Sequence, residues 1–199
     1  MKRVRISASE LRDHQRLEAI IRSIEPLPAM RIRGAEVERL VEENAHVERS
    51  SFAHNIFGRG FLKVVYREPV ATVRGNYAVD GGGEIFPSLG GNLNLPTIEG
   101  NVQVTSPILT LCDPGPFRTA ARYAKKLQFI ERIPPGRLAI GERGGISYLG
   151  GSLLVEFGDG SRLQEKVEVF KKALEQRPEL LNGKARLNLV DPDDPMSGN

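Results

Sequence analysis

The sequence predicts an α+β protein in two parts: a β-α-α-β-β unit, then a mixed, strand-rich β unit carrying two helices. Three observations carry this. Short apolar runs with period-two alternation recur along the chain, as half-buried strands require. Four segments instead space their apolar residues at helical intervals. Glycine pairs at Gly90-Gly91, Gly144-Gly145 and Gly150-Gly151 punctuate the second part as turns.

Lys2 to Ala8 alternates, with Val4, Ile6 and Ala8 on one face, and reads as a strand. Leu17, Ile20, Ile21 and Ile24 share one helix face, and Pro26 ends that helix. A second helix starts near Gly34 or Ala35, with Val37, Leu40 and Val41 inward and Glu36, Arg39, Glu42 and Glu43 outward. Val47 to Ala53 and Phe61 to Arg67 read as strands around a turn at Asn55 to Gly60. A short strand ends at Val79-Asp80, glycines Gly81 to Gly83 reverse the chain, and Glu84-Ile85-Phe86 returns. After Asp113-Pro-Gly-Pro116, a helix buries Phe117, Ala120, Ala121, Ala124 and Leu127 and turns Arg118, Arg122, Lys125 and Lys126 outward. Arg137 to Ile140, Ile146 to Leu149 and Ser152 to Phe157 read as strands. Ser161 and Gln164 have capping-box spacing for a helix lined by Leu163, Val167, Phe170 and Leu174 and stopped by Pro178. Lys184 to Val190 reads as the last strand, and the Pro- and Asp-rich residues after it are expected to be loose.

With 199 residues, the chain can bury one good core or two small ones. Its hydrophobic (40%) and charged (27%) fractions are those of a globular protein. The net charge of +3 is interleaved rather than clustered, so it does not by itself argue for nucleic acid. One cysteine, Cys112, excludes an internal disulfide framework, and its neighbours Leu109 and Leu111 suggest an inert, half-buried thiol. No apolar run approaches the roughly 18 residues a membrane helix needs. Taken alone, that pattern reads as a cytoplasmic protein.

The search for chemistry returns no catalytic constellation. His14, His46 and His54 lack a His or Cys partner at ligand spacing and read as surface or structural residues. Gly81 to Gly83 would have to open a helix to cradle a phosphate, but they lead into a strand. Glu68 and Asp80 have nothing that fixes them as a carboxylate pair. The basic outer face of the 117–129 helix has no interleaved aromatics to stack on bases and reads as a solvated face. The expectation is a binding or scaffold protein: no enzyme, no cofactor, no metal.

The order of the remaining motifs is more informative. Tyr66-Arg-Glu-Pro-Val-Ala71 is followed by Val79-Asp80-Gly-Gly-Gly-Glu-Ile-Phe86 and then by Leu95-Pro-Thr-Ile-Glu-Gly100. This succession resembles the extracytoplasmic part of the bacterial cell-division protein FtsQ, also called DivIB. There an "ER-x-P-V-A" strand end joins a POTRA domain to a β domain that opens with "V-D-x-x-G-x-x-F" and "L-P-x-(I/L)-x-G". Here Arg67 precedes Glu68, which is adjacent to Pro69. The resemblance implies a POTRA-like domain at 1–71, a β domain at 72–191 and a disordered tail at 192–199. It implies a divisome scaffold linking early division proteins to FtsB/FtsL-type partners, with other division proteins meeting the POTRA-like domain. It also implies a single-pass inner-membrane protein with this region outside the cytoplasm. Its anchor would lie outside this chain, making Met1 an added start. The alternative is a soluble relative without the anchor.

Terminal strands are candidate sheet edges, which expose backbone groups to a partner strand. The alternative is a central strand, or one covered by its own tail. The resemblance places FtsB docking by strand addition at the last strand, here Arg186, Leu187, Asn188, Leu189 and Val190. The family's ending resembles "V-D-L-R-Y", so Asn188 stands where an acid is usual and Val190 where arginine is common. Arg143 is the positional candidate for an upstream basic contact. Two rival readings are another POTRA-bearing export or assembly protein, and a soluble enzyme or nucleic-acid binder using the 117–129 helix.

Overall fold

The computed structural model describes residues 3–8, 14–88, 94–100, 102–105, 108–111, 114–131, 133–181 and 185–198. The chain divides into two compact units, Met1–Arg67 and Glu68–Asn199. It is a strand-rich α+β protein, as the alternation and helical spacings imply.

The first unit runs β1 (Arg3–Ala8), α1 (His14–Ile24), a short 3-10 turn (Ala29–Arg31), α2 (Gly34–Glu42), β2 (Val47–His54) and β3 (Arg59–Tyr66). The sheet order is β1-β3-β2, with β1 parallel and β2 antiparallel to β3. Alternation along β3 buries Leu62, Val64 and Tyr66 against Leu17, Ile21 and Ile24 of α1 and Val37 and Val41 of α2. The backbone N–H groups of Ser50 and Phe52 donate to Glu42 Oε1 and Glu38 Oε1, each at 2.7 Å, so α2 carboxylates occupy donors that β2 would otherwise expose.

The second unit opens with β4 (Pro69–Val73), β5 (Tyr77–Asp80), β6 (Ile85–Pro87) and β7 (Thr97–Glu99). A separate hairpin, β8 (Val102–Thr105) with β9 (Ile108–Leu111), leads to α3 (Pro114–Leu127). β10 (Arg137–Ile140), β11 (Ile146–Gly150), β12 (Leu153–Gly158), α4 (Leu163–Gln176), a 3-10 turn (Pro178–Leu181), β13 (Ala185–Asn188) and β14 (Met196–Gly198) follow. Nine strands form one sheet in the order β14-β13-β12-β11-β10-β7-β4-β5-β6. Both helices cover one face. Phe157 of β12 stacks on Tyr123 of α3 at 4.5 Å and meets Phe170 of α4 edge-on at 5.8 Å.

Four details differ from the expectations. The seam lies at Arg67/Glu68, not at residue 71, because β4 pairs with β5 from Pro69 onward and buries Val70 and Ala71 in the second core. Ser161 does not cap α4. Its hydroxyl donates to Asp159 Oδ1, while Arg162, at φ +50°, occupies the cap position without a side-chain cap. The final strand stops at Asn188 rather than continuing to Val190. The tail expected to be loose instead turns back: Pro192 is buried and Met196–Gly198 pair antiparallel with β13. Cys112 and Gly90-Gly91 lie outside the described residues.

Candidate partner-binding site

Residues with chemical potential are used structurally. Asp80 Oδ1 accepts from the backbone N–H groups of Gly82 (2.9 Å) and Glu84 (3.0 Å), closing the β5–β6 turn on itself. Gly83 is at φ +86°, and a Cβ there would sit 3.0 Å from Arg118 Cα. A Cβ on Gly81 would lie 2.5 Å from Lys125 Cδ. The turn is glycine-rich because two side chains of the basic α3 face lie against it. His54 Nε2 lies 3.1 Å from the Ile32 carbonyl and His46 Nδ1 3.2 Å from Asn44 Oδ1. The side chain of His14 falls outside the described residues. Among the described residues, no group of three or more His, Cys, Asp or Glu is arranged to hold a metal ion. No helix among them is long and apolar enough to cross a membrane.

At the C-terminal end, β13 runs parallel to β12 and has β14 on its other side. It is therefore the second strand from the edge. The Ala185 N–H donates to the Ser152 carbonyl (3.4 Å) and the Leu189 N–H to the Glu156 carbonyl (2.7 Å). In a parallel ladder alternate residues bond the same neighbour. Residues 185, 187 and 189 are thus tied to β12, while the backbone groups of Arg186 and Asn188 face the β14 side.

Side chains divide in the same way. Leu187 and Leu189 enter the core at 4% and 0% exposure. Arg186 lies on the opposite face and pairs with both Glu156 carboxylate oxygens, at 2.9 and 3.0 Å from Nη2. Asn188 Oδ1 accepts from the Val190 N–H at 3.0 Å, and Val190 is exposed. A Cβ on Gly158, at φ +68°, would sit 3.3 Å from both Val190 γ-carbons, and one on Gly145 would sit 3.9 Å from Gly158 Cα. The turn carrying exposed Arg143 therefore reaches the same end of the sheet as Asn188 and Val190.

Arg162 fastens the returning tail. Its guanidinium donates to both Asp193 oxygens (2.7 and 2.9 Å) and to Glu165 (2.7 Å), and lies 3.5 Å from Asp191. These hydrogen bonds hold the Asp193 carboxyl below the usual carboxylate range. Nearby, Lys166 is fully buried, and its ammonium donates to the Phe157 carbonyl at 2.8 Å and to Asp159 Oδ1 at 3.3 Å. Ser161, and then Lys166, lower the Asp159 carboxyl in turn.

Sequence reasoning missed Arg162, Lys166, Glu156 and β14. Only Lys166 carried a usable signal: it lies four residues before Phe170, on the face that α4 buries. No known protein-family model matches the chain, and no curated protein matches it closely enough to count as a relative.

Proposed function

We propose that this chain is the extracytoplasmic region of an FtsQ/DivIB-like cell-division protein, a non-enzymatic scaffold that binds an FtsB/FtsL-type partner by strand addition. In this reading the first unit is the POTRA-like domain and meets other division proteins. The second unit is the β domain, and an anchor outside these residues holds the protein in the inner membrane.

The observation that carries the reading is the end of the large sheet. The outward backbone groups of Arg186 and Asn188 are met by a three-residue strand, β14, across three register pairs. A longer strand from a partner could pair with the same groups and continue past them. The motif order supports it too, since Arg67 to Ala71 straddles the seam between the compact units. Leu189, attractive from sequence as a contact, is a core residue and a poor probe of docking.

The test is affinity for the cognate FtsB-like ectodomain. Asn188→Pro, made in the chain shortened after Asp191 so that β14 no longer draws on the same donor, removes a donor facing the partner while sparing the bonds to β12, so binding should fall at least tenfold against that shortened chain, as about 1.4 kcal/mol would give, with the fold retained by circular dichroism. Unchanged affinity would sink strand addition at this position.

A further inference from the structure

One end of the first unit gathers large apolar side chains that its fold does not use. The β2–β3 turn presents Ile56 and Phe57 at 78% and 71% exposure, and the Ala29–Arg31 turn presents Met30 at 90%. The two turns share this end of the unit, because His54 Nε2 lies 3.1 Å from the Ile32 carbonyl. The tip is rigid. Asn55 Oδ1 accepts from the N–H groups of Phe57 (3.0 Å) and Arg59 (3.1 Å), the Gly58 N–H donates to the Asn55 carbonyl (3.1 Å), and Gly58 sits at φ +79°. A turn built this way needs only Asn55 and Gly58. Ile and Phe between them stand in solvent with no role in its geometry, and clustered exposed apolar residues mark an interaction surface.

The flanking charge says what kind. Residues 27–33 and 54–60 contain Arg31, Arg33 and Arg59 and no aspartate or glutamate. All three arginines are exposed. Arg33 also pairs with Glu36 at 3.4 Å, an exposed contact that leaves the guanidinium accessible.

We propose that this end docks on the surface of an anionic lipid bilayer, with Ile56, Phe57 and Met30 entering the headgroup–acyl boundary and Arg31, Arg33 and Arg59 meeting lipid phosphates. Apolar side chains protruding from a rigid turn suit a soft interface, and cations beside them suit its charge. Neither part suffices alone: a few apolar side chains bind bilayers weakly, and each basic residue near an anionic surface contributes only about 1 kcal/mol, roughly fivefold.

Co-sedimentation of the full chain with vesicles tests this, comparing an equal mixture of phosphatidylglycerol and phosphatidylcholine with phosphatidylcholine alone. The expected result is at least about tenfold stronger partition onto the anionic vesicles, falling with added salt. Ile56→Ser with Phe57→Ser should lower partition about tenfold, and Arg31→Glu with Arg59→Glu should abolish the preference for anionic lipid. Arg122→Glu with Lys126→Glu, on α3 of the other unit, should leave partition unchanged. All changed residues are exposed, and thermal melts of each variant verify the fold. No binding to anionic vesicles, as expected if the tip instead fills a pocket in a protein, overturns the proposal. So does binding insensitive to the tip variants, or binding lost through the α3 pair.

Discussion

Removing residues 192–199 should strengthen, not weaken, binding of a strand-adding partner. β14 pairs with β13 through Arg186↔Gly198, Leu187↔Ser197 and Asn188↔Met196. Only the pairs at Arg186 and Asn188 direct backbone groups across this gap, so up to four N–H···O bonds close it, each worth about 0.5–1.5 kcal/mol net. Little else holds the strand: Met196 is 59% exposed, and the Arg162–Asp193 pair is open to solvent and adds little. Ordering the returning tail offsets much of the gain, at about 1–2 kcal/mol of backbone entropy per residue fixed. The net closure is therefore a small difference, no more than about 3 kcal/mol, and a partner that displaces β14 forfeits that amount. Truncation after Asp191 should tighten the complex, by up to about 150-fold. Fluorescence anisotropy or calorimetry with the FtsB-like ectodomain reads this directly. Weaker binding after truncation would mean that β14 is itself the docking edge. Unchanged binding would mean that docking lies elsewhere. Either result refutes displacement.

Three further outcomes follow from the same region. Leu189→Ala should destabilise the second unit by about 2–5 kcal/mol in urea titration, because Leu189 is completely buried in its core. Arg186→Ala should cost about 1 kcal/mol or less, since its ion pair joins an exposed guanidinium to a partly exposed Glu156. Acid should loosen the tail slightly. Asp193 sits below its ordinary value of 3.8 because it accepts hydrogen bonds from Arg162. A carboxyl depressed in the folded state contributes above its unfolded value, and the contribution is lost as pH falls through the lower folded value. Protection of the Met196 and Gly198 amides, relative to their intrinsic exchange rates, should therefore fall slightly below about pH 4, and Asp193→Asn should leave it slightly lower and less pH-dependent across that window.

Helical stripes and strand alternation were legible because they are periodic: Leu17, Ile21 and Ile24 line α1, and Leu153, Val155 and Phe157 line β12, as their spacing requires. The Asp80 turn was legible because its chemistry is local. What escaped depends on partners distant in sequence. Met196-Ser-Gly198 has no alternation to display, and it is a strand through pairing with β13, reached by a segment whose Asp191 and Asp193 lie against Arg162, some thirty residues earlier. Pro69 begins β4, and nothing local tells which unit that strand joins. Ser161 and Gln164 matched a capping box by spacing. Asp159 takes the Ser161 hydroxyl and Gln164 donates to Glu168 instead, so each half of the box found a nearer partner.

The last strand shows why the most suggestive residues in a sequence can be the wrong ones to test. Leu187 and Leu189 stand at apolar positions of the ending that this chain resembles, and the core of the second unit needs them there. Residues tied to β12 bury their side chains among α4 and its neighbours, so their identity is constrained by packing whatever binds outside. The proposed strand addition would instead draw on Arg186 and Asn188, whose backbone faces β14. Main-chain pairing places little demand on their side chains. Departure at Asn188 is therefore compatible with docking. Partner choice then has to come from groups around the edge that a strand passes over: Glu156 with Arg186, Val190 over Gly158, and the turn bearing Arg143. A charge swap, Glu156→Arg with Arg186→Glu, keeps the pair and the fold while inverting what the partner meets. Loss of cognate binding in that variant, without loss of stability, would separate specificity from strand addition itself.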